Sequence, residues 1–183
     1  MHPIDILGQE HRVIEARLDE LELEIQALEA GQPLRREWFE ETLDFFRDFA
    51  DRRHHAKEEN LLFPRMKQRG VPEQGGPIGV MLAEHDEGRG YLKAIRRNLA
   101  DAAVMADARG AAIADARSYI ALLRQHIYKE DNILFRIARM VLTAEDVEDL
   151  NREFAACAPP ATVPPATAAD PKLPARDAPR CGS

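Results

Sequence analysis

Two short segments of the chain place a histidine and a glutamate four residues apart within nearly the same sequence. The first segment, HHAKEENLLF, contains His54 and Glu58, and the second, HIYKEDNILF, contains His126 and Glu130. On an α-helix, residues four apart lie on one face, one turn from each other. An imidazole and a carboxylate held in this way can bind one cation or bridge two.

Another histidine precedes each motif by a similar number of residues. His11 precedes the first motif and His85 the second, and each follows a glutamate, in Glu10-His11 and Glu84-His85. The chain therefore consists of one helical hairpin written twice, and each copy supplies two histidines and one glutamate. The six predicted metal ligands are His11, His54, Glu58, His85, His126 and Glu130.

The clustering of these histidines favours a metal site over simple packing. A lone histidine on an apolar helix face is more often a packed core residue than a ligand. Here four of the six histidines fall on apolar faces of four predicted helices, at one level along the bundle. A glutamate in such a core is costly unless it is paired or bound to metal. Imidazole suits iron, zinc, copper or nickel, and added carboxylates favour iron or manganese.

His55 is an alternative ligand to His54, because Glu59 stands four residues after it. The two adjacent histidines point about 100° apart around a helix. Alignment of the Lys-Glu-x-Asn that both segments share pairs His54 with His126, and the apolar face of the helix agrees. We therefore favour His54 as the ligand and expect His55 beside it, where it can support the ligands.

Charged residues that the two segments share allow two interpretations. Glu59 matches Asp131, and Lys57 matches Lys129. The carboxylates could orient ligand histidines, or all four could be solvated charges beside the core; we favour solvated charges. We predict no catalytic residue, since both cysteines lie at or beyond the end of the periodic sequence. Whether the protein is an enzyme stays open, with a binding role favoured.

Apolar residues recur every three or four positions in four long stretches, which is typical of helices that face a bundle core. The stretches cover residues 4–28, 34–69, 78–99 and about 111–141, and a short fifth helix is predicted from Thr143. Hydrophobic residues make up 45% of the 183-residue chain and aromatic residues only 6%, which favours helix over sheet. The predicted fold is all-α, an antiparallel up-down-up-down four-helix bundle.

Composition divides the chain into two predicted parts. Residues 1–156 form the metal-binding domain, and residues 157–183 form a Pro- and Ala-rich tail that is expected to be disordered because it cannot bury a core. The net charge of −7, without a basic block, argues against nucleic acid and against anionic membrane surfaces as partners. The sequence contains no apolar run long enough to span a bilayer and no secretory signal, so a cytoplasmic location is expected.

Three strings resemble members of the hemerythrin-like HHE cation-binding domain family: HHAKEENLLFP, GGPIGVMLAEHDEGRGY and HIYKEDNILF. The resemblance covers roughly residues 3–155. It implies a bundle that holds a non-haem di-iron centre, with two iron ions bridged by carboxylates or by an oxo or hydroxo oxygen. By this resemblance the four predicted histidines are terminal ligands, and Glu58 and Glu130 bridge the irons.

The resemblance also bears on the role of the centre. Oxygen-carrying hemerythrins have a further histidine four residues after the first one of helix three, where this chain has Arg89. This difference argues against stable reversible carriage of dioxygen. The expected function is therefore binding or sensing of O2, NO or peroxide in a stress response. The alternatives are a redox enzyme of peroxidase or NO reductase type, and an iron storage or delivery module as in iron-sulfur cluster repair.

Overall fold

The computed structural model of the protein describes residues 1–102 and 106–157. These residues form five helices: α1 (Pro3–Glu29), α2 (residues 36–68), α3 (Pro77–Asp101), α4 (residues 106–141) and α5 (Ala144–Ala156). The predicted all-α fold, with four long helices and a short fifth, is confirmed. The predicted tail, apart from Cys157, lies outside the described residues, so the tail and the domain boundary stay predictions. Within the described ranges, no helix is long and apolar enough to cross a membrane.

Contacts between neighbouring helices show that they run antiparallel. Asp5 pairs with Arg139 and Glu29 pairs with Arg117, so the start of α1 lies beside the end of α4. The other neighbours show the same reversal. Contacts are Glu10–Lys57 and Glu24–Arg35 between α1 and the α2 region, Asp44–Arg96 and Glu59–Arg89 between α2 and α3, and Glu84–Lys129 and Asn98–Asp115 between α3 and α4. The up-down-up-down order follows.

Two apolar clusters pack on either side of the predicted ligand level. On α1, Ile4 and Leu7 belong to one cluster and Ile14 begins the other, with His11 between them. The same alternation occurs on the other three long helices. The predicted ligands are therefore enclosed by apolar packing above and below, which keeps water away and fixes their rotamers.

Both motif helices contain a π-helical turn that begins at the motif glutamate. The turns are Glu58–Leu62 in α2 and Glu130–Leu134 in α4, and in each the next phenylalanine donates its backbone N–H to the glutamate carbonyl. Such turns are rare and are frequently found at functional sites. The sequence predicts that Pro64 kinks α2 or shifts its last turns. α4 has the same turn without a proline, so a proline is not required for it.

α2 carries a second and longer π-helical stretch, Phe46–His55, for which the described part of α4 has no counterpart. A π-helix takes more residues for each turn than an α-helix, so neighbouring side chains diverge less around its axis. This stretch ends at His54 and His55. Both histidines are buried, as are His126 and Ile127 at the equivalent positions of α4.

Capping fixes the ends of two helices. Thr143 caps α5 as the sequence predicts: its hydroxyl accepts from the N–H of Asp146, whose carboxylate accepts from the N–H of Thr143 at 2.9 Å. His2 was expected to be a terminal residue without a role. It caps α1 instead, because its Nδ1 accepts from the N–H of Ile4 at 3.2 Å.

Asp146 also joins α5 to the bundle, which makes its charge a testable stabilising element. It is only 2% exposed and accepts from Arg69 at 2.7 and 2.9 Å and from Arg65 at 3.1 Å. We expect Asp146→Asn to lower the free energy of unfolding by about 1–2 kcal/mol at pH 7, because charge-assisted hydrogen bonds are lost. Chemical denaturation monitored by circular dichroism measures this change.

The pH dependence of the destabilisation by Asp146→Asn tests whether the charge of Asp146 is its cause. The hydrogen bond from Arg69 holds the pKa of Asp146 well below its usual value. The stabilisation is therefore present above the unfolded pKa of about 4 and decreases as the pH falls below it. The matched variant Asp149→Asn, at a residue that also accepts from Arg65, should cost less, since its side chain is 30% exposed. Equal effects of the two variants, or a pH-independent difference, would contradict this account.

Candidate metal centre

The structure brings all six predicted ligands together in the middle of the bundle. α1 supplies His11 and α3 supplies His85, while α2 and α4 each supply one histidine and one glutamate. All six side chains belong to residues that are at most 1% exposed. Their assignment as ligands stays a prediction, but their placement in one layer is what the repeated hairpin implied.

The donor atoms form two groups that share Glu58. The first donor group consists of His11, His54, Glu58 and Glu130, and the second donor group consists of His55, Glu58, His85 and His126. Within each group, one donor atom of every residue lies within 4.8 Å of the others. The whole centre is therefore a pair of adjacent donor sets instead of a single one.

Each glutamate faces histidines of both groups. The Oε1 of Glu58 lies 3.5 Å from the Nε2 of His54, and its Oε2 lies 3.6 Å from the Nε2 of His85. The Oε2 of Glu130 lies 3.2 Å from the Nε2 of His11 and 3.2 Å from the Nε2 of His126. The two carboxylates are therefore placed to bridge two cations.

The hydrogen bonding of the centre fits bound cations. Both oxygens of Glu58, both oxygens of Glu130 and the Nε2 atoms of His11 and His54 are buried without a hydrogen-bond partner in the described residues. Buried polar atoms are almost always paired, so such a concentration requires an explanation. Two ligand atoms that bind one metal at right angles, each about 2.1 Å from it, lie about 3 Å apart. The distances of 3.2–3.6 Å between histidine nitrogens and glutamate oxygens in this centre are close to that value.

In two of the histidines, the ring nitrogen that faces away from the centre contacts a carboxylate of a motif on a neighbouring helix. The Nδ1 of His11 lies 2.7 Å from Asp131, and the Nδ1 of His85 lies 2.7 Å from Glu59. Asp131 and Glu59 follow the motif glutamates in the two copies. The interpretation of these residues as solvated charges is wrong: they orient the predicted ligands.

The other two histidines are held in the same way by the Glu-His pairs. The Nδ1 of His54 lies 3.1 Å from Glu10, and the Nδ1 of His126 lies 3.0 Å from Glu84. The matching lysines of the two motifs donate to these same glutamates. In the neutral imidazole, a carboxylate at Nδ1 places the N–H there and leaves the Nε2 lone pair directed inward, as a metal ligand requires.

Burial and mutual charge separate the pKa values of the glutamates. Burial, together with the charge of Glu130, raises the pKa of Glu58 well above its usual value. Burial also opposes ionisation of Glu130, but His126 and His11 outweigh it and hold the pKa of Glu130 well below its usual value. Burial disfavours the charged form of His126, yet Glu130 and Glu84 raise its pKa to about 9. Burial lowers the pKa of His54 to about 4.

The sequence presented His54 and His55 as alternatives, whereas the structure places both at the centre. His55 is 6% exposed and belongs to the second donor group. The repeat gives no signal for a second inward histidine in α2, because the second copy has Ile127 where the first has His55. The supporting carboxylates did have a signal, since Glu10 and Glu84 occupy the same place in the two copies.

The fold and donor sets define a class: a helical-bundle protein whose core is built to bind cations. The model of the Hemerythrin HHE cation binding domain family matches residues 2–138 of the chain. The chain belongs to this family, as the sequence resemblance predicted.

Individual relatives carry a more specific description. The chain is 38% identical over 86 residues to the iron-sulfur cluster repair protein YtfE of Musicola paradisiaca (strain Ech703), a match that covers 45% of this chain and 38% of that protein. It is 36% identical over 85 residues to the proteins of the same name from Enterobacter sp. (strain 638) and Escherichia coli O157:H7, with 45% of this chain and 39% of each relative covered. The matched segment therefore spans less than half of these relatives.

Metal binding should depend on pH, because protons and cations compete for the same atoms. His126, whose pKa is raised to about 9, holds a proton at neutral pH and must lose it to bind metal, and burial raises the pKa of Glu58, which favours its protonated form as well. We expect metal affinity to rise with pH from 6 to 8, by up to about tenfold per unit for each displaced proton. Chelator competition measures the affinity, and titration in weak buffer measures the released protons.

The control for this experiment is His2→Asn, which changes a histidine outside the centre and keeps a residue suited to capping. Its pH slope should equal that of the unchanged protein. An affinity that does not vary with pH, with no proton release on binding, would exclude these groups as the metal ligands.

Proposed function

We propose that this protein is a non-haem di-iron protein that binds or senses O2, NO or peroxide as part of a stress response in the cytoplasm. The observation that carries the proposal is the pair of fully buried glutamates, each directed at histidines of both donor groups, whose four oxygens have no hydrogen-bond partner in the described residues. Two cations between these groups satisfy all four oxygens at once.

The donor chemistry supports iron as the cation. The two groups offer only imidazole nitrogens and carboxylate oxygens, and they contain no sulfur ligand. Glutamate and histidine that project inward from facing helices are the design of di-iron carboxylate bundles. The family membership and the relatives named for repair of iron-sulfur clusters point to the same metal. Iron in this site supplies redox capacity and a coordination position for a ligand.

A small cavity beside the second donor group supports a small ligand. Its polar lining includes His55, His85 and His126 beside three charged residues, and its apolar lining includes Leu92 and Tyr119; the charged residues are Asp51, Glu84 and Arg89. The volume in which the centre of a water-sized molecule can lie within this cavity is about 10 Å³. This corresponds to roughly one such molecule, so a diatomic gas fits the space far better than an organic substrate does.

A second candidate function is iron delivery or repair of iron-sulfur clusters. It is favoured by the identity of 36–38% to proteins named for cluster repair. Because the match covers under half of those proteins, their whole activity does not transfer by similarity alone. Transfer of iron from the loaded protein to an apo acceptor supports this candidate over binding or sensing.

Iron content tests the proposed site directly. We expect about two iron ions per chain after anaerobic loading, and a ligand-to-metal absorption band after exposure to air. The double variant His54→Ala/His126→Ala removes one imidazole from each donor group and should abolish both signals. His2→Asn should retain them. Stoichiometric iron in the double variant would disprove the site.

Ligand tests separate the roles of the loaded protein. Binding or sensing predicts spectral changes with NO, O2 or peroxide that saturate without turnover. Continuous consumption of peroxide or NO in the presence of an electron donor shows a redox enzyme instead. Absence of any spectral change with all three ligands would contradict the sensing role and leave iron delivery as the function.

A further inference from the structure

His55 has no partner that explains its burial. Its ring lies inside the second donor group, and neither of its nitrogens has a hydrogen-bond partner in the described residues. The ring stacks on His85 with centroids 3.8 Å apart and planes 13° from parallel. Leaving two buried ring nitrogens unpaired is costly, so packing alone is a poor reason for a histidine here.

The surroundings of His55 favour a ligand nitrogen that faces the centre. The Oδ1 of Asp51 lies 3.7 Å from its Nδ1, a separation that small ring movement closes to a hydrogen bond. The Nε of Arg89 donates to Asp51 at 2.8 Å, and its Nη2 donates to Glu59 at 2.6 Å. Glu59 in turn holds His85, so Arg89 supports two neighbouring histidines through their carboxylates.

His55 has no histidine counterpart in the second copy of the repeat. The position equivalent to His55 in the second copy is Ile127, which is 2% exposed and packs in the apolar core. The π-helical stretch Phe46–His55 also has no counterpart in the described part of α4. The first donor group therefore contains two imidazoles and the second contains three.

We propose that His55 is a fifth histidine ligand, which binds a cation together with His85, His126 and Glu58. The proposal rests on the proposed di-iron function. It gives the two metal positions different ligand sets. It also assigns Arg89, four residues after His85, the role of a positioning residue that acts through Asp51 and Glu59.

Two variants of His55 test the proposal. His55→Ile installs the residue that the second copy has at this position, and His55→Gln keeps a polar side chain of similar volume. Ile127→Leu is the matched control at the equivalent position of α4. For each protein, anaerobic Fe²⁺ titration gives the affinities of the two sites, and thermal unfolding is followed with and without iron.

We expect His55→Ile and His55→Gln to weaken one of the two sites by at least about tenfold and to leave the other nearly unchanged. Without iron, His55→Ile should raise the melting temperature, because two unpaired buried nitrogens are removed. With iron, it should reduce the gain in melting temperature on loading. Ile127→Leu should change neither site.

Mössbauer spectra of protein loaded with ⁵⁷Fe give an independent readout, with two distinct iron environments expected in the unchanged protein.

Two sites of unchanged affinity in both His55 variants would overturn the proposal. So would equal loss of both sites together with a lower melting temperature without iron, which indicates a structural role. If the unchanged protein binds no iron, the proposed function fails, which is a different result.

Discussion

The structure depends on the burial of two glutamate side chains in the centre of a helical bundle. Glu58 and Glu130 are both 0% exposed, and their oxygens have no well-formed hydrogen bond in the described residues, although histidine nitrogens lie 3.2–3.6 Å from them. An isolated carboxylate in such a place costs far more free energy than a small domain has available. In the proposed di-iron centre, cations between the carboxylates would compensate this cost, so folding and metal binding are expected to be linked.

Charged residues outside the centre support this arrangement on all sides. Asp131, Glu59, Glu10 and Glu84 each bind the outward nitrogen of one histidine. Cationic side chains then hold the carboxylates: Lys57 and Arg53 contact Glu10, Lys129 contacts Glu84, Arg12 contacts Asp131, and Arg89 contacts Glu59. These contacts fix the ring orientation of the four histidines and favour the N–H at Nδ1 in each neutral ring.

The two halves of the chain share this design but do not use it identically. The π-helical turns at both glutamates and the paired Glu-His contacts follow the repeat. His55 and Arg89 depart from it, and both lie beside the second donor group. The carboxylates that support the histidines are therefore nearly the same in the two copies, but the number of histidines differs between the two donor groups. This difference permits different roles for two cations.

Most of this arrangement could be predicted from the sequence, because the repeat encodes it. The spacing of His54 and Glu58 and its recurrence in α4 predicted the level and the face of four side chains, and the upstream histidines His11 and His85 added two more. The position of His55 at the centre could not be predicted, because the repeat pairs it with the apolar residue Ile127 and the helix pattern favours only one of two adjacent histidines. Glu59 and Asp131 were misjudged because the sequence alone does not show which charged residues reach a histidine on another helix.

Anomalous diffraction at the iron edge from crystals of the iron-loaded protein tests the central claim most directly. The account predicts two peaks in the middle of the bundle, about 3.5–4 Å apart. Glu58 and Glu130 should each contact both peaks, with His11 and His54 at one and His85 and His126 at the other. A single peak, or iron bound away from the two buried glutamates, would contradict it.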